Sequence, residues 1–97
     1  MLNQGLFKNS FRHLSPMYFL YILQCQDKSL YTGITNNLER RFLEHKNKKG
    51  GHYTVSHKAR KIVYSERFQT KNKALKREAQ IKSLKRKAKL ALIKGKA

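Results

Sequence analysis

The segment at residues 18–24 is apolar and aromatic up to Gln24 at its end, and a second, shorter run lies at 30–34. Neither run contains a charged side chain. Runs without polar alternation are typical of strands that are buried on both faces. The polar residues at 26–29 predict a turn between the two runs. The pattern therefore predicts an antiparallel hairpin.

The register of this hairpin decides which side chains share a face, because side chains alternate between the two faces of a strand. If the numbers of paired residues add up to an even value, Tyr21, Leu23, Tyr31 and Gly33 lie on one face. A shift of one residue would place the two tyrosines on opposite faces.

A short amphipathic helix is predicted at about 37–46. Asn36 is a candidate N-cap, and Glu39 three residues later completes a capping-box pattern near the positive helix end. Four residues recur at i, i+3, i+4 and i+7 and so lie on one side of the helix: Leu38, Arg41, Phe42 and His45. We expect Arg41 and His45 to flank the apolar residues that dock this helix on the sheet.

The rest of the chain predicts a loop, a third strand and a helical segment. Residues 46–58 form a basic loop, in which His52, Tyr53 and Lys58 are candidates to grip a phosphate backbone, with a merely solvated loop as the alternative. A strand is expected at 60–66, and Thr70 is expected to cap a helical segment at 71–94 that breaks in two near Arg86.

We expect one α+β domain at 17–94. Residues 1–16 would be a flexible arm or the product of an upstream start codon, and 95–97 a tail.

The net charge of the chain restricts its possible functions more than its length does. The 97 residues suit one small domain with an open groove rather than a large internal site. Lysine and arginine number 23 against 5 acidic residues, for a formal net charge of +18. Such an excess favours a polyanionic partner, with nucleic acid first. The alternatives are a merely soluble basic protein and a protein that binds a membrane surface.

One cysteine, Cys25, excludes an internal disulfide and a thiolate metal cluster. It ends an apolar run, so we expect a packed core thiol rather than a nucleophile. The seven apolar residues at 17–23 fall far short of the roughly 20 that span a bilayer. We therefore expect a cytoplasmic protein that is not a membrane protein.

Glu78 is the single acid within a C-terminal segment that carries 11 basic residues. On a helical wheel four apolar residues lie within about 80° of it: Ala74, Ile81, Ala88 and Leu92. A carboxylate at the edge of an apolar stripe among lysines is more apt to have a function than one on a solvated face.

These residue types suit the hydrolysis of a phosphodiester, which needs an activated water and positive charge on the phosphate oxygens. Glu78 is a candidate to hold one hard divalent ion, Mg²⁺ or Mn²⁺, with water and phosphate completing its coordination. Arg41 is a candidate to brace the phosphate. A tyrosine is a candidate to take the proton from water, but with an ordinary pKa near 10 it would need a nearby cation.

The segment at 18–45 resembles the GIY-YIG nuclease module. Phe19-Leu20-Tyr21 stands where the family has Gly-Ile-Tyr, and Tyr31-Thr32-Gly33 stands where it has Tyr-Ile-Gly. The resemblance covers about 18–84 and is nearest to small stand-alone bacterial proteins related to the N-terminal domain of the UvrC repair nuclease and to structure-specific nucleases of the Slx type. It departs from the UvrC-type domain at Ile34, where that domain has a lysine.

The resemblance implies a three-stranded antiparallel sheet flanked by helices and a metal-dependent endonuclease. It implies five catalytic residues, of which the last binds the metal: Tyr21, Tyr31, Arg41, His45 and Glu78. Gly33, Tyr53, Lys58 and Lys82 are expected to contact nucleic acid, Gly33 because a missing side chain lets a phosphate approach. Gly33 could instead serve only the exit of the strand.

Each candidate also has a purely structural explanation. The two tyrosines would be core aromatics, and Arg41 would be one more solvated cation beside Arg40. His45 would be a cation at the helix C-terminus, and Glu78 would pair with Lys82 four residues later.

Three functions stay open from the sequence. The first is a hydrolase that nicks branched or damaged DNA in repair or recombination, RNA being the lesser candidate, with a protein partner supplying specificity. The second is a non-catalytic DNA- or RNA-binding module with the same fold, and the third is a ribosome-associated or chromatin-like basic protein. The joint presence of the tyrosines, Arg41 and Glu78 favours the first.

Overall fold

The computed structural model describes residues 17–47 and 57–96. In that part of the chain the strands are β1 (Tyr18–Cys25), β2 (Leu30–Thr35) and β3 (Ala59–Phe68), and the helices are α1 (Leu38–Lys46), α2 (Lys71–Lys82) and α3 (Arg86–Lys96). Each predicted strand and helix is present within a few residues of its expected bounds. The expectations for residues 1–16, His52 and Tyr53 lie outside the described residues.

The strands form one antiparallel sheet in the order β2-β1-β3, with helices around it, which confirms the predicted α+β class. Because β1 is the central strand, both of its edges are paired and both of its faces are covered, which explains its uninterrupted apolar sequence. Tyr21 pairs with Gly33 and Leu23 pairs with Tyr31. This is the even-sum register, so these four residues share one face.

Each face of the sheet packs against different helices. On one face Tyr21, Leu23 and Cys25 form a buried cluster with Leu38 and Phe42 of α1. Burial raises the pKa of the Cys25 thiol, as expected for a packed core thiol.

On the opposite face Leu20 and Ile22 pack against Ile81 of α2 and Leu92 of α3. Alternate residues of the central strand thus hold α1 on one side and the C-terminal helices on the other.

The cap of α1 corrects the sequence prediction, because the N-cap is Asn37 and not Asn36. The Asn37 side chain accepts a hydrogen bond from the Arg40 backbone N–H at 2.9 Å. Thr35 Oγ1 accepts from the Asn37 N–H at 3.1 Å, which keeps the backbone extended until that residue. Asn36 instead accepts from the Arg40 guanidinium at 2.6 Å. Glu39 still lies in the first turn, where its charge is favourable.

The C-terminal segment breaks as predicted, with α2 ending at Lys82 and α3 beginning at Arg86. Thr70 is the N-cap of α2 and accepts from the Lys73 N–H at 3.2 Å. The break overturns the continuous apolar stripe that the helical wheel suggested, since Ala88 belongs to the second helix and is exposed.

Helix α3 continues to Lys96, beyond the end expected at 94. Across residues 17–47 and 57–96, no helix has both the length and the apolar character needed to cross a bilayer.

Ile81 is a direct test of the packing of α2 on the sheet, because it is fully buried while Leu75 on the same helix is 39% exposed. We expect Ile81→Ala to lower the free energy of unfolding by about 2–5 kcal/mol, through lost burial and the cavity left behind. Leu75→Ala should cost less than about 1 kcal/mol. Urea denaturation of both variants checks this, and equal losses would contradict the described packing.

Candidate active site

Three aromatic rings meet on the face of the sheet that α1 covers. The Tyr21 hydroxyl lies 2.8 Å from Nε2 of His45, and both residues are only 1% exposed. The centroids of the Tyr31 and His45 rings are 5.4 Å apart, and those of Tyr21 and Tyr31 are 6.3 Å apart. The structure therefore brings together both motif tyrosines and His45, and we call these residues the ring cluster.

Gly33 is required by the close approach of Tyr21. A Cβ atom at this position would lie 2.6 Å from the Tyr21 hydroxyl oxygen and 2.8 Å from the adjacent ring carbon Cζ. The phenol thus fills the space where the sequence analysis expected a phosphate to approach. Contact between Gly33 and a phosphate stays a prediction.

Arg41 joins the ring cluster from α1. Its guanidinium lies close enough to the Tyr21 hydroxyl to oppose the rise in the pKa of that phenol, and its Nη1 donates to Glu44 Oε1 at 2.9 Å. Glu44 is a residue that the sequence analysis missed. Its spacing of three residues from Arg41 and four from Arg40 on a predicted helix was the available signal.

Burial keeps Tyr21 and His45 neutral at pH 7. It raises the pKa of Tyr21 to about 12, against the opposing hydrogen bond from Arg41. It also lowers the pKa of His45 to about 4, and the Arg41 charge adds to that fall. A neutral imidazole carries a proton on only one of its ring nitrogens, so the tautomer of His45 sets which partner donates in its hydrogen bond with the Tyr21 hydroxyl. His45 does lie in the last turn of α1, as its structural alternative required, but burial disfavours the charged imidazole there.

Glu78 lies within electrostatic range of the ring cluster. Its negative charge helps to raise the pKa of Tyr21, although burial and the nearer groups have larger effects on that pKa. The Glu78 side chain is 19% exposed, and its Oε2 lies 3.4 Å from Nζ of Lys82. The ion pair expected as the structural alternative is therefore present, but such a pair is worth at most about 1 kcal/mol and leaves the carboxylate available to a cation.

The donor set fits a hard cation that keeps most of its water. Among the described residues there is no group of three or more histidine, cysteine, aspartate or glutamate side chains that could enclose a metal. A single carboxylate oxygen donor with water and phosphate is a common way to bind Mg²⁺. Glu78 is therefore compatible with the predicted ion, whereas a zinc site would need more protein ligands.

Lys58, one of the expected nucleic-acid contacts, immediately precedes β3 and lies beside the hairpin turn. Its carbonyl accepts a hydrogen bond from the Gln26 N–H at 2.9 Å. The preceding His57 bonds Asp27 of the same turn through Nδ1 at 2.7 Å. The side chains of Lys58 and Lys82 are exposed, and their contact with nucleic acid stays a prediction. Tyr53 lies outside the described residues.

Comparison with known proteins gives a consistent picture. The family model described as the GIY-YIG catalytic domain matches residues 17–91. A UPF0213 protein of Clostridium perfringens is 49% identical over 81 residues, which cover 84% of this chain and 87% of the relative. A UPF0213 protein of Staphylococcus saprophyticus is 45% identical over 66 residues, covering 68% of this chain and 80% of the relative.

A solved structure also matches. The solution NMR structure of a UPF0213 protein from Bacillus halodurans is similar with a TM-score of 0.53 and 35% identity, covering 80% of this chain and 83% of that one. The similarity therefore extends over most of the described sheet and helices.

Substituting Gly33 tests the close packing of the ring cluster. We expect Gly33→Ala to lower the free energy of unfolding by about 1–3 kcal/mol, because the new methyl group must displace a phenol that is hydrogen-bonded to His45. Gly95→Ala is the matched control, since a Cβ there meets nothing within 4 Å. It should leave stability unchanged or raise it by at most about 1 kcal/mol. A Gly33→Ala protein as stable as the control would contradict the described packing.

The His45 imidazole makes stability depend on pH in a defined window. Its pKa is about 4 when folded against an ordinary value of 6.5, so between these values the unfolded chain binds the extra proton. The free energy of unfolding should therefore fall as the pH is lowered from 6.5 to 4, by up to about 3 kcal/mol. Denaturation of wild type and His45→Gln across this range isolates His45 from the other histidines. Identical pH slopes for the two proteins would rule out the assignment.

Proposed function

We propose that this chain, which belongs to the GIY-YIG family, is a metal-dependent endonuclease that hydrolyses phosphodiester bonds of DNA. The observation that carries the proposal is the convergence at the Tyr21 hydroxyl, which meets His45 and Arg41 and is within range of the Glu78 charge. The net charge of +18 supports a nucleic-acid substrate.

The two tyrosines have different roles in this proposal. Tyr21 is almost fully buried and has a raised pKa, so it keeps its proton and orients His45 and Arg41. Tyr31 is half-buried and therefore more accessible to solvent. We assign Tyr31 as the group that meets the attacking water and, once it is itself a phenolate, takes the proton of that water; a nearby cation would favour the phenolate form.

Arg41 braces the scissile phosphate in this proposal. Its guanidinium is partly exposed and can offer two parallel donors to phosphate oxygens. The ion pair with Glu44 on the same helix holds its position before the substrate binds. A positively charged donor held in place stabilises the negative charge that develops during hydrolysis.

Glu78 would hold a single Mg²⁺ or Mn²⁺ ion, exchanging its ion pair with Lys82 for the metal. The ion supplies positive charge for the phosphate oxygens and the leaving oxygen. Lys82 then becomes available to the nucleic-acid backbone. A metal ion held by a single carboxylate of the protein depends on water and on the substrate for its remaining ligands. The affinity of the protein for the metal should therefore rise when DNA is present.

Branched or damaged DNA is the proposed substrate, with a role in repair or recombination. Lysine and arginine contacts to phosphate fix position but carry no base-sequence information. Selectivity would therefore come from the shape of the DNA or from a protein partner.

Cleavage of supercoiled and branched DNA with Mg²⁺ or Mn²⁺ tests the proposal. We expect Glu78→Gln and Tyr31→Phe each to reduce cleavage by about a hundredfold or more, because one loses the metal ligand and the other the proton acceptor. Glu39→Gln is the matched control, since it removes one carboxylate from the exposed first turn of α1. It should leave cleavage unchanged.

Two results would overturn the proposal. If Glu78→Gln and Tyr31→Phe both cleave as wild type does, the assigned site is wrong. If the wild type binds DNA but cleaves no substrate with either metal, the chain is the non-catalytic binding module.

A further inference from the structure

A cavity of about 430 Å³ is lined in part by Arg41, and its lining includes neither Tyr21 nor Tyr31. Its lining includes three cationic side chains, Arg40, Arg41 and Lys71, and one carboxylate, Glu44. The cations come from two elements, α1 and the first residue of α2. A pocket with this excess of positive charge suits an anion that is larger than one carboxylate.

Glu44 serves both arginines of the cavity. Its Oε1 accepts from Arg41 Nη1 at 2.9 Å, and its Oε2 lies 3.9 Å from Arg40 Nε. The Arg41 guanidinium holds the pKa of Glu44 below its ordinary value. Glu44 is therefore charged at pH 7 and stands where an anionic ligand of the two arginines would stand.

Lys71 adds positive charge at a helix end that is already positive. It is the first residue of α2, and the first turn of that helix contains no acidic residue, whereas α1 has Glu39 in its first turn. A lysine at this position is unfavourable with respect to the helix dipole. An external anion in the cavity would compensate both the lysine and the helix end.

We propose that this cavity binds a second phosphate group of the nucleic acid, adjacent to the scissile one, through Arg40 and Lys71. Glu44 is a displaceable counter-ion that holds Arg41 until the DNA arrives. When the phosphates bind, Arg41 exchanges the carboxylate for the scissile phosphate and Arg40 turns to the neighbouring one. This assignment rests on the proposed function in taking DNA as the ligand.

Equilibrium binding of a short duplex DNA, measured without divalent metal over a series of salt concentrations, tests the phosphate contacts. We expect Arg40→Gln and Lys71→Gln each to weaken binding and to reduce the slope of log K against log salt by about one. Lys87→Gln is the matched control, because it removes the same charge from an exposed position on α3. A loss of affinity and slope in Lys87→Gln equal to that in Lys71→Gln would overturn the proposal.

The counter-ion role of Glu44 has its own control in Glu39→Gln, which removes the same charge from the same helix. We expect Glu44→Gln to bind the duplex about twofold more tightly than Glu39→Gln, because Arg41 no longer has to break an ion pair. In an Arg40→Gln, Arg41→Gln background the two substitutions should have equal effects. If Glu44→Gln binds no more tightly than Glu39→Gln in the otherwise wild-type chain, Glu44 is not a displaceable counter-ion.

These measurements separate failure of the subsite from failure of the proposed nuclease. Binding without metal requires no turnover, so a protein that never cleaves DNA can still show the expected loss in Lys71→Gln. A protein that cleaves DNA but shows the same binding loss in Lys71→Gln and Lys87→Gln retains the proposed function and loses the subsite.

Discussion

The approach of the Tyr21 phenol to Gly33 is the constraint on which the site depends. The pairing of these two residues across β1 and β2 leaves room for the ring only because Gly33 has no Cβ. The hydroxyl then reaches His45 on α1, so one side chain connects the register of the hairpin with the docking of the helix. A slip of one residue would move Tyr21 to the other face and separate it from His45 and Arg41.

Burial and charge oppose each other at this point, and burial decides the protonation states. Arg41 favours a phenolate at Tyr21, yet the removal of the hydroxyl from water raises its pKa to about 12. The same removal from water keeps His45 neutral. Tyr21 and His45 are thus two neutral, hydrogen-bonded and buried groups, whereas Tyr31 and Arg41 beside them stay partly exposed to solvent.

Each of the few acidic residues makes a local interaction within this strongly basic chain. All 5 acidic residues lie in the described part of the chain, and each is engaged in a particular local feature. Glu66 is an example, since both of its oxygens accept from Arg77, which ties β3 to α2. The others support the hairpin turn, the first turn of α1 and two ion pairs on helices: Asp27, Glu39, Glu44 and Glu78. The excess of lysine and arginine over acidic residues is therefore not neutralised within the chain. A polyanionic partner would supply the missing negative charge.

The sequence by itself determined the strands, the helices and the face that Arg41 and His45 occupy. These features follow from periodicity and from signals between near neighbours, such as the Thr70 cap and the break before Arg86. The matching tyrosines indicated the family because their identity and spacing are written in the chain.

Only the tertiary structure showed that His45 is neutral, that the Tyr21 ring requires a glycine at position 33, and that Glu44 lies beside a cavity. The N-cap at Asn37 and the exposure of Ala88 are local by contrast, since the Thr35 hydroxyl two residues earlier and the break before Arg86 produce them. Proton affinity, steric room and counter-ion placement depend on atoms that are distant in the sequence and close in space. Burial and through-space charge set them, and neither can be read from the order of the residues.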